Sequence, residues 1–445
     1  MLTSSSTKDA ASSRPRFSLL SDSARLLRFA QALSWFDQGL VSATSFLCLL
    51  LVARWTDAAA LGAFAFGMSV LAVLLAAQEA LVVRPYTIRL YRLDIPVAQQ
   101  TSQAFWLSAS LGGASGASLL AAFAVSIWAG APLQIQHMLL ALAFAGPCLL
   151  LREFARKQAY AHLHIYDALL VSAPACVLTV GVVMLLGWSG VLTAASAIVA
   201  IGLASAVSGL VWLVSNNAVR GPRLAGAWRR SWELGKWFLA AQTALQAQAY
   251  STTWVTFVLG GASLAGVYAA CASIVGLANP LLYGFFNLLL PQSSRAFHQD
   301  GSAALRRKTV RSALQLCAIM GVFCVALALC GEWLMRLLYP HEYQSQGRIL
   351  VILALASWAG TVGAPASIAL AAAERAGVVA VIVSATALLN LALIIVLLPS
   401  AGLLGAAVAM LVAELAGSAA RWVVFLVLMK STSRTPTLKA AAAGG

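Results

Sequence analysis

The sequence predicts an all-α integral membrane protein of twelve transmembrane helices, arranged as two pseudo-symmetric six-helix lobes around a central cavity, and three observations carry that expectation. Hydrophobic residues make up 61% of the chain and charged residues only 10%, with a mean hydropathy of +0.86, far from a soluble globular domain. The apolar residues fall into runs of roughly 20 or more, long enough to cross a hydrocarbon core of about 30 Å. Lysine and arginine then alternate between the connections, crowding every second one.

The expected spans are Ala30 to Ala53, Ala58 to Val83, Gln103 to Trp128, Leu133 to Leu151, Ala168 to Gly187 and Val191 to Ser215 in the first half. The second half gives Trp237 to Leu259, Leu264 to Leu290, Thr309 to Gly331, Ile349 to Ala373, Val378 to Leu398 and Leu403 to Met429. These runs are long, rich in Ala and Leu, and lack strict alternation. Helices therefore satisfy the backbone in lipid better than barrel strands. Residues 1–29 are Ser-rich and polar with no cleavage site, and read with 431–445 as disordered tails. The lobes then cover 30–215 and 237–430, joined by a basic linker at 216–236.

With the N-terminus inside, 26 of the Lys and Arg residues fall on the inner side and 3 on the outer, at Arg54, Arg336 and Arg348. The positive-inside rule thus sets the span count and puts both termini in the cytoplasm. The net charge of +15 is spread over alternate short loops, which argues against nucleic acid as a partner. The seven cysteines lie in or beside apolar spans without CxxC spacing, and the five histidines form no metal-binding pattern. No metal or cofactor is expected.

An internal repeat points to a transporter. "LGAFAFG" (Leu61 to Gly67) matches "AGVYAAC" (Ala265 to Cys271) at an offset of 204, which also carries Gln38 onto Gln242. "WSGVLTAASAIVA" from Trp188 matches "SAGLLGAAVAMLV" from Ser400 at an offset of 212. "RPYTIR" and "LPQSSR" each place Arg four residues after Pro, at Arg89 and Arg295. Both halves enter the membrane from the same side, so the repeat is parallel, with its axis along the membrane normal.

Polar residues inside spans mark candidate sites. Helix 1 carries Gln31, Trp35, Gln38, Ser42 and Ser45 on one face, and helix 7 carries Gln242, Gln246, Tyr250 and Thr253. Such stripes suit a hydrated cavity between lobes, or interhelical hydrogen bonding. Asp37, Glu79 and Glu414 are the ionisable candidates for ion coupling. Asp37 fits either a proton or cation site or a carboxylate paired with an arginine. Glu79 fits a partner of Arg84, five residues on. Arg421 is seven residues from Glu414, about 10 Å along the axis, a spacing that predicts no direct pair.

The segments "LVARWTDAAALGAFAFGMSVLAVLL", "LGKWFLAAQTALQ" and "LYPHEYQSQGRILVILALASW" resemble the polysaccharide flippases of the multidrug/oligosaccharidyl-lipid/polysaccharide exporter superfamily, over Ala30 to Met429. That resemblance implies two lobes in a V, a cavity bordered by helices 1, 2, 7 and 8, alternating access, and no enzymatic chemistry. It implies an undecaprenyl-pyrophosphate-linked glycan as substrate for exopolysaccharide, capsule or O-antigen assembly. Anionic membrane lipids and other polysaccharide assembly proteins follow as partners. The positions that match a cationic cavity are Arg84, Arg89, Arg152, Arg156 and Arg295, with Arg89 favoured, because paired guanidinium forks suit pyrophosphate. The multidrug branch of the superfamily uses a helix 1 carboxylate for ion coupling, for which Asp37 is the matching position. A membrane enzyme of envelope-glycan assembly is a further alternative, disfavoured because "GEWLMRLLYPHEYQSQGR", the longest outer connection, holds too few ionisable groups for an active site.

Overall fold

The computed structural model describes the backbone of residues 16–90, 96–215, 226–344 and 346–432, with side chains described from residue 32 onward except at a few positions in 283–300 and at 430–432. Its helices are Arg16–Trp55 (α1), Ala58–Arg89 (α2), Val97–Trp128 (α3), Leu133–Ala161 (α4), Ile165–Trp188 (α5) and Ala194–Ser215 (α6). The second half follows as Ala227–Gly260 (α7), 262–300 (α8), 302–338 (α9), Gly347–Ala372 (α10), 376–401 (α11) and 403–432 (α12). Ten stretches are long and apolar enough to span a membrane. One of them, Ala376–Met429, is divided by Gly402 at φ 56°, and the more polar α7 completes the expected twelve.

Three expected boundaries move. Helix α1 begins at Arg16, inside the stretch read as a disordered tail, because Leu19, Leu20, Leu26, Leu27 and Phe29 continue a helical apolar pattern. Helix α4 runs ten residues past Leu151, so Arg152 to Tyr160 are helical. Helix α7 starts at Ala227, within the expected linker, whose residues 216–225 lie outside the described ones.

The two halves repeat in backbone detail. His164 N–H bonds Ala159 O, and Leu163 sits at φ 62°; 211 residues later Arg375 N–H bonds Leu370 O, and Glu374 sits at φ 61°. Both turns between fourth and fifth helices therefore end a helix with the same left-handed residue. Gly190 at φ 73° and Gly402 at φ 56° stand in the corresponding turns between fifth and sixth helices, 212 residues apart.

The lobes meet on the axis of this repeat. A Cβ on Gly62 would lie 1.8 Å from the carbonyl oxygen of Ala262, and one on Gly266 would lie 1.9 Å from that of Ala58. Both pairs are related by the offset of 204, so the contact is self-complementary, and α2 and α8 cross backbone to backbone. Small residues allow this approach, and dispersion between close helices sustains it in lipid.

Away from that crossing the symmetry is broken. Along the α2/α7 seam, Phe66 stacks on Phe257 at 4.5 Å, Trp254 donates to Ser69 Oγ at 2.7 Å and Gln246 to Ala72 O at 3.3 Å. Ser231 donates to Leu81 O, Arg89 to Arg230 O at 2.7 Å, and Arg84 lies over the Phe238 ring at 5.2 Å. Across the α1/α8 seam, α1 is fastened to the second lobe at its C-terminal end. There Arg54 donates to Leu337 O at 2.7 Å and Leu338 O at 2.9 Å, covering the last carbonyls of α9. Val52 and Ala53 are fully buried, while Trp35 and Phe36, toward the other end of the apolar span Ala32–Trp55, are 57% and 61% exposed. The lobes are thus joined at the Arg54 end and parted between α1 and α8 at the end carrying Arg84, Arg152 and Arg156.

Substituting Gly62 or Gly266 by Leu is expected to lower thermal stability in detergent, costing about 1–3 kcal/mol as α2 and α8 are forced apart. Leu at Gly113, whose Cβ would meet nothing within 4 Å, serves as control. At the α4/α5 turn, His162 Nε2 lies 2.9 Å from the Tyr86 hydroxyl, and burial followed by the charge of His164 lowers its pKa. The folded state then binds this proton less tightly than the unfolded chain. Its contribution is present above the unfolded value of about 6.5 and is lost as pH falls below it. Melting temperature followed from pH 7.5 to 5 is expected to fall more steeply in the wild type than in His162→Gln.

Candidate functional site: a cavity between the lobes with a buried charge cluster at one end

A cavity of about 900 Å³ lies between the lobes, lined by α1, α2 and α4 to α6 on one side and by α7 and α8 on the other. Much of its wall is apolar, including Phe46, Phe64, Leu71 and Leu75, interrupted by hydroxyls of Ser42, Ser45, Ser69, Thr179, Thr253 and Tyr250. The stripes expected on helices 1 and 7 are divided by the fold. Ser42, Ser45, Tyr250 and Thr253 line the cavity, Gln246 is used in the α2/α7 seam, Gln242 is half-buried away from the lining, and the side chain of Gln31 lies outside the described ones.

At one end of the cavity the lining residues are Arg152, Glu153 and Arg156 of α4. Their helical spacing, with Tyr160 one turn further, places all four on one face. Phe154 points the other way, into a cluster with Phe105, Trp212 and Tyr86 that fixes the rotation of α4. Opposite this face stands Asp37 of α1, with no exposed surface. Arg156 bonds Asp37 Oδ2 through Nε at 2.9 Å and through its NH2 nitrogen at 2.8 Å. It also donates to Glu153 Oε1 at 2.8 Å and to Gln38 Oε1 at 2.9 Å, while Tyr160 donates to Asp37 Oδ2 at 2.6 Å.

Asp37 is therefore a carboxylate paired with an arginine, one of its two expected forms. Its partner comes from α4, 119 residues along the chain. Ions desolvated this far persist only when hydrogen-bonded and paired. The pairing is incomplete at two atoms: Asp37 Oδ1 and Arg152 Nε are buried without a hydrogen-bond partner among the described residues.

Glu79 pairs with Lys157 at 3.3 Å and with Arg84 at 3.6 Å, outside the cavity lining. Arg89 and Arg295, read as cavity arginines, lie elsewhere. Arg89 is in a separate cleft between α2, α3 and α7. Arg295 is in a cleft between α8 and α9. The pairing of α2 with α7 carries Arg89 away from the gap. Of the five expected arginines, Arg152 and Arg156 line the cavity.

Glu414 and Arg421 correct the expected separation. Arg421 reaches Glu414 Oε2 at 3.4 Å, because helix side chains lean toward the N-terminus and a seven-residue gap is closed by an arginine's length. Gln248 of α7 donates to Glu414 Oε1 at 2.6 Å, and Gly360 of α10 leaves the space, since its Cβ would lie 2.9 Å from Oε2. In the first half, 212 residues earlier, the same positions are Gly202 and Gly209, both packed closely on α4. The second lobe thus holds an ion pair where the first holds two glycines.

Tyr160, Glu153, Lys157 and Gln248 were not singled out from sequence. The signal for the first three was present, since Arg152, Glu153, Arg156, Lys157 and Tyr160 repeat at helical spacing past Leu151.

No family model and no curated protein sequence matches the chain. Solved structures do. The chain is similar to a structure described as the inward-facing conformation of a multidrug resistance MATE family transporter of the MOP superfamily. It has a TM-score of 0.75 and 13% identity, over 88% of this chain and 96% of that one. An outward-facing conformation of a multidrug resistance MATE transporter scores 0.65 at 11% identity, over 91% and 95%. A MOP superfamily transporter from Pyrococcus furiosus, whose binding pocket is described as of reverse polarity, scores 0.66 at 12% identity, over 91% and 95%. At such identities the likeness is one of fold, and the chain is a multi-pass membrane protein with the two-lobe architecture of MATE transporters of the MOP superfamily.

Proposed function

We propose that the chain is an alternating-access transporter that moves a drug-sized amphipathic molecule through the central cavity in exchange for protons bound at Asp37. The observation that carries this reading is the Asp37 carboxylate. It is wholly buried, it ties α1 to α4 at the cavity's end, and its Oδ1 is left unbonded. A proton placed on Asp37 removes the charge facing Arg156, which keeps Glu153 as partner. Helix α1, held to the second lobe at Arg54 and exposed at Trp35 and Phe36, is then released at one end. A change of shape needs such a difference in binding between states. The cavity of about 900 Å³ falls within the ~300–1,000 Å³ usual for drug-sized ligands, and its apolar wall with scattered hydroxyls suits an amphiphile. The positive-inside pattern of the sequence supports a cytoplasmic side for both termini and for the Arg152 end.

The structures described as multidrug resistance transporters support this reading over transport of a lipid-linked oligosaccharide. A specific observation keeps the second reading in view. Arg152 lines the cavity with Nε unbonded, and each acid of the cluster already faces a cation, as suits an anionic pyrophosphate head.

Proteoliposomes separate the two. Under an imposed pH gradient the wild type is expected to transport ethidium, Asp37→Asn to lose about tenfold or more of that rate, and Arg152→Gln to retain it. Flipping of a fluorescent undecaprenyl-pyrophosphate oligosaccharide, lost in Arg152→Gln and accompanied by no ethidium movement, establishes the second reading instead. Wild-type protein of normal thermal stability that moves neither compound overturns both.

A further inference from the structure

The cleft between α8 and α9 gathers four cations. It encloses about 670 Å³ and is lined by Arg295, Arg307, Lys308 and Arg311, with no carboxylate among its described lining residues. Lys308 Nζ reaches across from α9 to Gln292 Oε1 at 2.8 Å, and Arg295 Nε donates to Gln299 Oε1 at 2.8 Å. Both cations are thus positioned by neutral amides, and neither has an acid partner among the described residues. Arg307 and Arg311 stand one turn apart on α9, where like charges repel.

The repeat sharpens the contrast. In the first half, Arg84 is compensated by Glu79, and Arg89 is bonded to the Arg230 carbonyl in the lobe seam. In the second half, the corresponding Pro-x-x-x-Arg element ends at Arg295, which faces three further cations instead. The floor is also two-sided in character. Phe285 and Leu289 line its apolar end, while Gln292, Ser312 and Gln315 join the cations. Leu281 and Leu290 on α8 are 56% and 46% exposed, so the helix beside the cleft presents an apolar surface.

We propose that this cleft is a binding site for the phosphate group of a membrane lipid, seated among Arg295, Arg307, Lys308 and Arg311 with its chain along Phe285 and Leu289. Guanidinium groups take phosphate oxygens in bidentate fashion, and the ammonium of Lys308 adds a third direction of donation. Four cations around one pocket, without an acid among its described lining residues, attract such a headgroup. The site lies outside the translocation cavity and does not depend on what the cavity carries.

The test uses the full-length protein, delipidated and then supplied with phosphatidylglycerol or phosphatidylcholine, with retained lipid counted by native mass spectrometry. The wild type is expected to retain phosphatidylglycerol in preference to phosphatidylcholine. Arg307→Gln/Arg311→Gln is expected to weaken that retention by about tenfold or more. Arg229→Gln/Lys236→Gln, which removes two cations of α7, is expected to leave it unchanged. Lys308→Gln alone is expected to fall between the wild type and the double variant. Equal loss in both double variants, or none in either, overturns the proposal by showing that the attraction is spread over the whole basic end. A soluble-ligand arm uses sodium pyrophosphate. Pyrophosphate that binds the delipidated wild type while phosphatidylglycerol does not also overturns it, in favour of a free phosphate site.

Discussion

The crossing of α2 over α8 at Gly62 and Gly266 is the constraint on which the rest of the molecule depends. Each glycine faces the backbone of the other lobe, and the carbonyls they face, those of Ala262 and Ala58, are themselves related by the repeat. The contact therefore lies on the pseudo-twofold axis and is made twice. No side chain intervenes, so the two backbones approach closely and the crossing fixes how the lobes meet.

From that point the two seams diverge. Between α2 and α7, aromatic stacking, a tryptophan hydrogen bond and the Ser231 and Arg89 bonds close the interface over most of its length. The opposite seam is fastened at Arg54 and left open toward the exposed Trp35 and Phe36 of α1. A parallel repeat closed along one seam and parted along the other leaves a cavity that reaches one side only.

Charges inside the bundle are handled differently in the two lobes. In the first, Asp37, Glu153 and Arg156 form a connected network at the cavity end, extended by Tyr160 and Gln38. In the second, Glu414 and Arg421 occupy positions that are glycines in the first, and they are completed by Gln248 and by the space at Gly360. The lobes share a backbone and differ in where ions are tolerated. The architecture repeats in its turns and diverges in its buried charges.

The amino-acid sequence by itself determined the membrane, the twelve spans and the parallel repeat. Those follow from hydropathy, from the alternation of basic loops and from matched glycines, all of which are local properties read along one dimension. It also marked Asp37, Glu79 and Glu414, because an ionisable residue in an apolar run stands out without any partner in view. Only the tertiary structure decided the partners. Asp37 meets Arg156 because α4 continues ten residues past its apolar run and because its aromatic face turns the basic one inward. Arg89 leaves the cavity because α2 packs on α7, and Arg421 reaches Glu414 because side-chain direction closes a gap that helix rise leaves open. Pairing between distant segments depends on helix rotation and lobe contact, and neither is written in the spacing of residues along a single helix.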